Sequence, residues 1–263
     1  MPSPESRRWR THPGEGDRVR EFRITVAGKT AQVKCLFDST PHYLGKYVTQ
    51  LEPELFLEVT PEDVAFEREM HLREALEEGF RVRDFPDTFL ERAAIQRKLA
   101  HGLFAHDILL FHGSAIAVDG QGYIFTARSG TGKSTHTRLW KQLFGERAVM
   151  INDDKPFLRF TPEGILVCGS PWSGKHGLDT NIAVPLKGIC LLERGLENRI
   201  EPLPPEGAGF IKQQAYCPLP PACTQRFHAL TERLTQTVPL WHLQCNKELE
   251  AAEVACQAMQ KLV

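Results

Sequence analysis

The sequence has no net charge to speak of, no long apolar run and no paired cysteine motif. Its 263 residues carry 32 Lys and Arg against 33 Asp and Glu, a formal charge of −1. A chain so balanced has no global attraction for nucleic acid or an anionic membrane, so neither is expected as a partner. No apolar stretch approaches the roughly 20 residues needed to cross a bilayer. The seven cysteines (Cys35, Cys168, Cys190, Cys217, Cys223, Cys245 and Cys256) are odd in number, and no two have C-x-x-C spacing. Scattered thiols of this kind fit a reducing compartment. A zinc site from Cys217, Cys223, His228 and Cys245 would need a spacing that matches no usual pattern. The first residues, "MPSPESRRWRTHPGEGDRVR", contain no apolar core of the secretory type. The expectation is a cytoplasmic protein with an unstructured tail over residues 1–20. No internal repeat or low-complexity stretch is visible.

What the chain does have is 41% hydrophobic residues in strand-like and helix-like patterns. "REFRITVAGKTAQVKCLF" alternates apolar and polar residues around Gly28-Lys29 and predicts a β-hairpin. "LFLEV" predicts a strand. Thr60, Pro61, Glu62 and Asp63 then give a helix start, and Gly79 its end. A second helix is predicted over Thr88–Ala105, capped by Asp87. From Ile108 the texture turns to short apolar strands: two around Asp119-Gly120, then "RAVMIN", "FLRFTPEGILVCG" as a hairpin, "GICLL" and "VPLWHLQC". Asn246 is expected to cap a last helix with Leu249, Ala252, Cys256, Met259 and Val263 along one stripe. Proline-rich pieces near Pro202–Pro205 and Pro218–Pro221 read as loops flanking a short helix. The order is mixed, not a strict βαβ alternation. It predicts an α/β fold: a mixed sheet with helices over residues 106–263, preceded by a smaller α+β portion over 21–105.

The chemistry concentrates in "IFTARSGTGKSTHTRLW" and what surrounds it. A phosphate-binding loop has the pattern G-x-x-x-x-G-K-[ST], in which backbone amides wrap the phosphates. The eight positions are Ala127, Arg128, Ser129, Gly130, Thr131, Gly132, Lys133 and Ser134. Seven fit. Ala127 stands where the first glycine would be, at the exit from the strand, and alanine suffices if φ there is negative. Lys133 can reach the β- and γ-phosphates, and the Ser134 hydroxyl can bind Mg²⁺. "INDDK" supplies Asp153 and Asp154 at the end of an apolar strand, where such sites often hold a metal-binding carboxylate. One can hold Mg²⁺ while the other takes a proton from an acceptor hydroxyl. Neighbouring strand residues point to opposite faces, so the chain must bend for both to reach one site. His112 in "FHGSA" can orient an aspartate or shuttle a proton, or serve only the structure. In "GSPWSGKHGLDTN", Lys175 can clamp developing phosphate charge and Trp172 can pack on a base or an acceptor. A solvated loop with one anchored tryptophan accounts for that segment equally well.

Taken together, "HGSAIAVDGQGYIFTARSGTGKST", "NDD" and "GSPWSGK" resemble the C-terminal catalytic domain of the bacterial HPr serine kinase/phosphorylase family. The likeness extends to related proteins that lack its dedicated N-terminal domain. "SGTGKST" and "DD" are also similar to elements of ATP-dependent phosphoenolpyruvate carboxykinase. The resemblance spans roughly Leu109 to Gly195. It implies a P-loop mixed-sheet core of the HPr kinase/carboxykinase type, binding ATP with Mg²⁺. It implies that the amides of Ser129, Gly130, Thr131, Gly132, Lys133 and Ser134, with Thr135 beside them, hold the triphosphate. Ser134 and Asp153 would hold the metal, and Asp154 would be the base for the acceptor hydroxyl, with His112 beside it and Lys175 assisting. "LLERGL" departs from the family signature, so Arg194 receives no catalytic role. A homo-oligomer would follow only by analogy. The expected function is an ATP-dependent kinase acting on a hydroxyl of a small molecule, peptide or protein serine. The alternatives are a nucleotide-binding regulatory module without turnover and a carboxykinase-like lyase. The lyase would need further arginines and metal ligands that the first hundred residues do not offer.

Overall fold

A computed structural model describes residues 20–77, 79, 81–174, 176–216 and 221–260. Twelve strands and seven α-helices form among them, in a mixed α/β arrangement. Residues 1–19, Lys175, Cys217, Pro218, Pro220 and Val263 lie outside the described residues. Arg20, grouped with the tail on sequence grounds, opens the first strand.

β1 (Arg20–Val26) and β2 (Lys29–Cys35) form the expected hairpin. Its turn is Ala27-Gly28, with φ of 52° and 77°, the left-handed pair that matches strand twist. α1 (Ser39–Tyr43) comes next in the chain, and β3 (Leu55–Glu58) adds to β2 in parallel. Two longer helices, α2 (Pro61–Glu77) and α3 (Asp87–Phe104), complete this portion. At the start of α2, Asp63 accepts hydrogen bonds from the Thr60 N–H (3.0 Å) and hydroxyl (3.3 Å), a cap run backward from the third helical position. Asp87 does not cap α3. The cap position is Pro86, and Asp87 is instead held by Arg68 of α2. Leu90, Ala94, Ile95, Leu99 and Leu103 line one face of α3 and pack with Ile24, Val26, Ala31 and Val33 of the hairpin. Phe157, Cys168 and Trp172 belong to the same buried cluster, so the N-terminal elements share a core with the second half of the chain.

The second sheet has nine strands in the order β4-β8-β9-β10-β6-β5-β7, with β12 beside β10 and β11 beyond it. These are β4 (Ile108–Leu110), β5 (Ser114–Val118), β6 (Gln121–Thr126), β7 (Ala148–Asn152), β8 (Phe157–Thr161), β9 (Gly164–Cys168), β10 (Ala183–Arg194), β11 (Arg199–Pro202) and β12 (Leu240–Cys245). The stretch 108–126 yields three strands where the sequence pattern suggested two, because β4 leaves its neighbour to pair with β8. β10 bridges two halves. Ala183–Pro185 pair antiparallel with β9, while Ile189–Arg194 run parallel to β12. Its other edge runs parallel to β6, with a register shift between Leu186 and Gly188.

Alternate residues of the central strands enter different clusters. Ala115, Ala117, Ile124 and Ile189 join one, with α5 (Ala208–Gln213) and α6 (Thr224–Thr237). Ile116, Val118, Tyr123, Phe125 and Cys190 join the other, with α4 (Lys133–Phe144) and α7 (Leu249–Gln260). A sheet covered on both faces explains why its strands read as continuous apolar runs. Asn246 lies three residues before α7 and accepts the Glu248 N–H at 2.9 Å, so it shapes the approach to the helix and does not cap it. The six described cysteines are all free thiols. Burial pushes Cys35 and Cys168 up to about 12. No helix of the described residues is long and apolar enough to cross a membrane.

Candidate functional site

The glycine-rich loop joins β6 to α4. Gly130 and Gly132 take φ of 75° and 130°, values that L side chains rarely adopt. A Cβ on Gly130 would meet nothing within 4 Å, and one on Gly132 only the Thr135 Cβ at 4.0 Å. These glycines are needed for backbone conformation, not for room. Ala127 is not among the positive-φ residues and is buried against Trp140 and Phe125, so the alanine meets the condition set for it. No side chain caps α4 at Gly132, which leaves first-turn amides at the loop free of a side-chain acceptor. Thr137 joins the first turn to the sheet through the Ser114 hydroxyl at 2.9 Å. Arg194, at the end of β10, donates from Nε to the Thr131 carbonyl at 3.3 Å and from its other end to the Gly130 carbonyl. Arg194 therefore holds the loop from the neighbouring strand.

The carboxylates sit where β7 ends. The bend at Asp153-Asp154 is set by Asn152, whose Oδ1 accepts the N–H groups of Asp154 (2.8 Å) and Lys155 (2.6 Å). This Asx-type turn frees both aspartates from strand alternation. The Asn152 amide donates to the Ser170 carbonyl (2.8 Å) and hydroxyl (3.0 Å). That pins the incoming segment after β9 against the end of β7. At Gly169 a Cβ would lie 1.9 Å from the Thr180 carbonyl oxygen. At Gly174 it would lie 3.2 Å from Asp153 Oδ1, which accepts the Gly174 N–H at 2.6 Å.

Asp153 is 3% exposed, and its Oδ2 is buried without a partner. Burial raises its pKa, the Gly174 N–H opposes this, and the charge of Asp154 adds to the rise. For Asp154 burial also pushes upward, but the His112 hydrogen bond, Lys155 and Lys133 outweigh it and hold the carboxyl below its usual range. His112 Nε2 lies 3.4 Å from Asp154 Oδ1. His112 occupies the link between β4 and β5, not a strand end. Its carbonyl takes the Thr126 hydroxyl at 3.0 Å and its N–H goes to the Gln214 carbonyl at 2.8 Å. The next residue must be small, since a Cβ on Gly113 would come 2.8 Å from Ile124 Cγ2 and 3.2 Å from the Phe125 carbonyl. Lys133 closes the arrangement: burial holds its pKa below the usual value, and the charge of Asp154 only partly offsets this. Its Nζ reaches the Ala127 carbonyl at 3.4 Å.

The structure thus brings Lys133, Asp154 and His112 together, with Asp153 behind them. Ser129 to Thr135 form the loop and first helical turn. Trp172 points elsewhere: it is buried in the N-terminal core and donates its Nε1–H to the Arg92 carbonyl at 2.9 Å. It anchors the segment and meets no open site. Asn152 and Gly169 are not singled out by the sequence, and Arg194, given no catalytic role there, acts instead on the loop carbonyls. For Asn152 a signal existed, since Asn before two residues needing backbone acceptors is a turn former. Clefts of about 320 and 760 Å³ flank the loop, sharing Thr131 and Arg194. Among the described residues no three His, Cys, Asp or Glu side chains cluster as a metal cage.

No protein-family model matches this chain, and no curated protein does. Among solved structures it is similar to the HPr(Ser) kinase/phosphatase from Coxiella burnetii, at 11% identity and a TM-score of 0.35. The match covers 58% of this chain and 92% of that one. A likeness this distant carries no residue from one protein to the other.

Proposed function

We propose that the chain is an ATP-dependent phosphotransferase with a P-loop site of the HPr-kinase type, moving the γ-phosphate to a hydroxyl acceptor. The observation that carries this reading is the convergence of Lys133, from the loop, with the His112–Asp154 pair, from the β4–β5 link and the end of β7. Loop and base belong to one site only if all three meet.

The amides from Ser129 to Ser134, with Thr135, would hold the triphosphate, with Lys133 neutralising its charge. The acceptor oxygen attacks the γ-phosphorus, the bond from phosphorus to the bridging oxygen breaks, ADP leaves, and the acceptor proton passes to Asp154. A carboxylate held anionic is a weak base, but phosphoryl transfer through a loose transition state asks for the proton late. Positioning and charge carry most of the work. His112 keeps Asp154 oriented. On this reading Mg²⁺ would be held by Asp153, whose Oδ2 is buried and unpartnered, with the Ser134 hydroxyl as a further ligand. Such an ion would neutralise phosphate charge as it builds. Free thiols and an ATP requirement fit a cytoplasmic setting.

The test is ATP consumption over a panel of hydroxyl acceptors, for the native chain and for Asp154→Asn. We expect turnover to fall by about 10²–10⁴ while nucleotide binding persists. Unchanged turnover would remove Asp154 from the reaction. Tight ATP binding with no acceptor turned over would favour the regulatory module.

A further inference from the structure

A cleft of about 720 Å³ is lined by α2 and α3, by the β4–β5 link with Lys155, and by the chain leaving α5. Its size is that of small-molecule sites, which run about 300–1,000 Å³ and favour the seam between structural units. It shares no residue with the clefts that flank the glycine-rich loop. It does reach the proposed base. His112, which holds Asp154, and Lys155, the residue after Asp154, both line it.

The backbone sets these two side chains opposite each other. β4 and β8 pair with Leu110 facing Phe157, and the ladder continues past them. The Phe111 N–H donates to the Pro156 carbonyl at 2.9 Å, and the Gly113 N–H to the Asp154 carbonyl at 3.0 Å. His112 and Lys155 are the facing pair between those bonds. Side chains so paired share one face, with Cβ atoms about 5 Å apart. The root of Lys155 is also fixed from behind: its N–H donates to Asn152 Oδ1 at 2.6 Å, and its carbonyl accepts the Ser170 hydroxyl at 2.6 Å.

The charges along the walls are matched, with one exception. Glu67 is bonded by Arg97 at 2.5 Å, and Arg97 is also committed to Asp63 at 3.1 Å. Glu74 is 62% exposed and lies 3.7 Å from His71 Nδ1. The Lys155 ammonium makes no ion pair or hydrogen bond among the described residues, although Asp154 and Lys133 both feel its charge. A ligand carboxylate entering here would be repelled by Asp154 and Glu67 unless a cation met it, and Lys155 is that cation. The guanidinium fork that would favour a phosphate is occupied, and one ammonium balances one negative charge. Asp154 and Lys155 are consecutive, so a molecule that touches both carries its hydroxyl and its carboxylate a few bonds apart.

We propose that this cleft is the acceptor site and takes a small hydroxycarboxylic acid, with its carboxylate on Lys155 and its hydroxyl at Asp154. The proposal rests on the phosphotransferase reading for the fate of the bound hydroxyl, but binding itself needs no nucleotide. Saturation-transfer NMR on the full chain without nucleotide would compare lactate, glycerate and gluconate with their neutral counterparts propylene glycol, glycerol and glucose, and with glycerol phosphate. At least one acid is expected to bind about tenfold or more tightly than its neutral counterpart, the worth of one hydrogen bond between charged groups. Lys155→Met keeps the length of the side chain, removes the charge and should erase that preference. Ala93→Phe, which fills the cleft from α3, should abolish the signal. Melting curves check that both variants are folded, and the comparison of acids with neutral counterparts on the native chain needs neither. The proposal is overturned if no acid binds, or if the neutral counterparts or glycerol phosphate bind as well as the acids. It is also overturned if folded Lys155→Met keeps the preference, or if folded Ala93→Phe binds as the native chain does, which would put the acid elsewhere. Fluorescent ATP binding on the native chain separates the two readings. ATP bound without any hydroxy acid sinks the cleft alone, and a hydroxy acid bound without ATP sinks phosphotransfer alone.

Discussion

The two halves of the site are built on opposite principles. The loop from Ala127 to Gly132 has open space around it, and its glycines serve backbone angles of 75° and 130°. The bend at Asp153-Asp154 has ordinary angles and almost no space. It is crossed by a segment in which Gly169 lies against Thr180 and Gly174 against Asp153. One half is specified by conformation and the other by packing. A loop that must wrap a ligand needs a preset backbone and free amides. A carboxylate pair that must stay in one geometry while buried needs neighbours on every side. The same residue type, glycine, performs both jobs, so the effect of adding one methyl group separates them.

The largest effect is expected at Gly169→Ala. Its Cβ would stand 1.9 Å from a backbone oxygen, and no side-chain rotation relieves that. The strand end or the crossing segment must move, at about 3 kcal/mol or more, and Tm should fall by about 6 °C or more. A melt unchanged from native would mean that the segment does not cross β7 as described. Asn152→Ala comes next. It removes the acceptor for two backbone N–H groups and the donor to Ser170. A loss of about 2–3 kcal/mol is expected from unpaired buried groups. Because the Asx turn sets the bend, turnover should fall further than stability alone would require. Equal losses in both would make Asn152 a structural residue only.

This division also explains what can be read from sequence. The hairpin at Ala27-Gly28, α2, the glycine-rich loop and the strand into "NDD" all depend on residues close in the chain, and their patterns are legible. So is the need for a bend between two adjacent aspartates. What escapes is the set of residues acting across long separations: Arg194 on the loop carbonyls, Gly169 on Thr180, Trp172 on Arg92. Asp87 reads wrongly as a cap because its partner, Arg68, lies nineteen residues away on another helix. β4 merges with its neighbour in the sequence pattern because its true partner, β8, comes later in the chain. Local chemistry announces itself in a motif, while packing is announced only by the fold.

Gly130→Ala probes the other half. With φ at 75° and nothing within 4 Å of the new methyl group, only backbone strain is added, about 1–2 kcal/mol. The expected melt is close to native, with a Tm lower by a few degrees. If the loop relaxes to escape the strain, nucleotide affinity should drop by about tenfold. A large stability loss with intact binding would reverse the contrast between loop and bend.

The smallest effect belongs to the residue that makes the loop pattern irregular. Ala127→Gly would restore the usual first position, and a motif count would expect tighter nucleotide binding. The structure argues otherwise. Ala127 already has a φ open to any residue, and its methyl group is buried with Trp140 and Phe125. Glycine would remove that contact and add chain freedom, costing about 0.5–1 kcal/mol. It would free no amide that faces the ligand. Nucleotide affinity should therefore match native within error while Tm falls slightly. A clear gain in affinity would mean that the exit from β6, and not only the turn at Gly130 and Gly132, limits how the loop closes on phosphate.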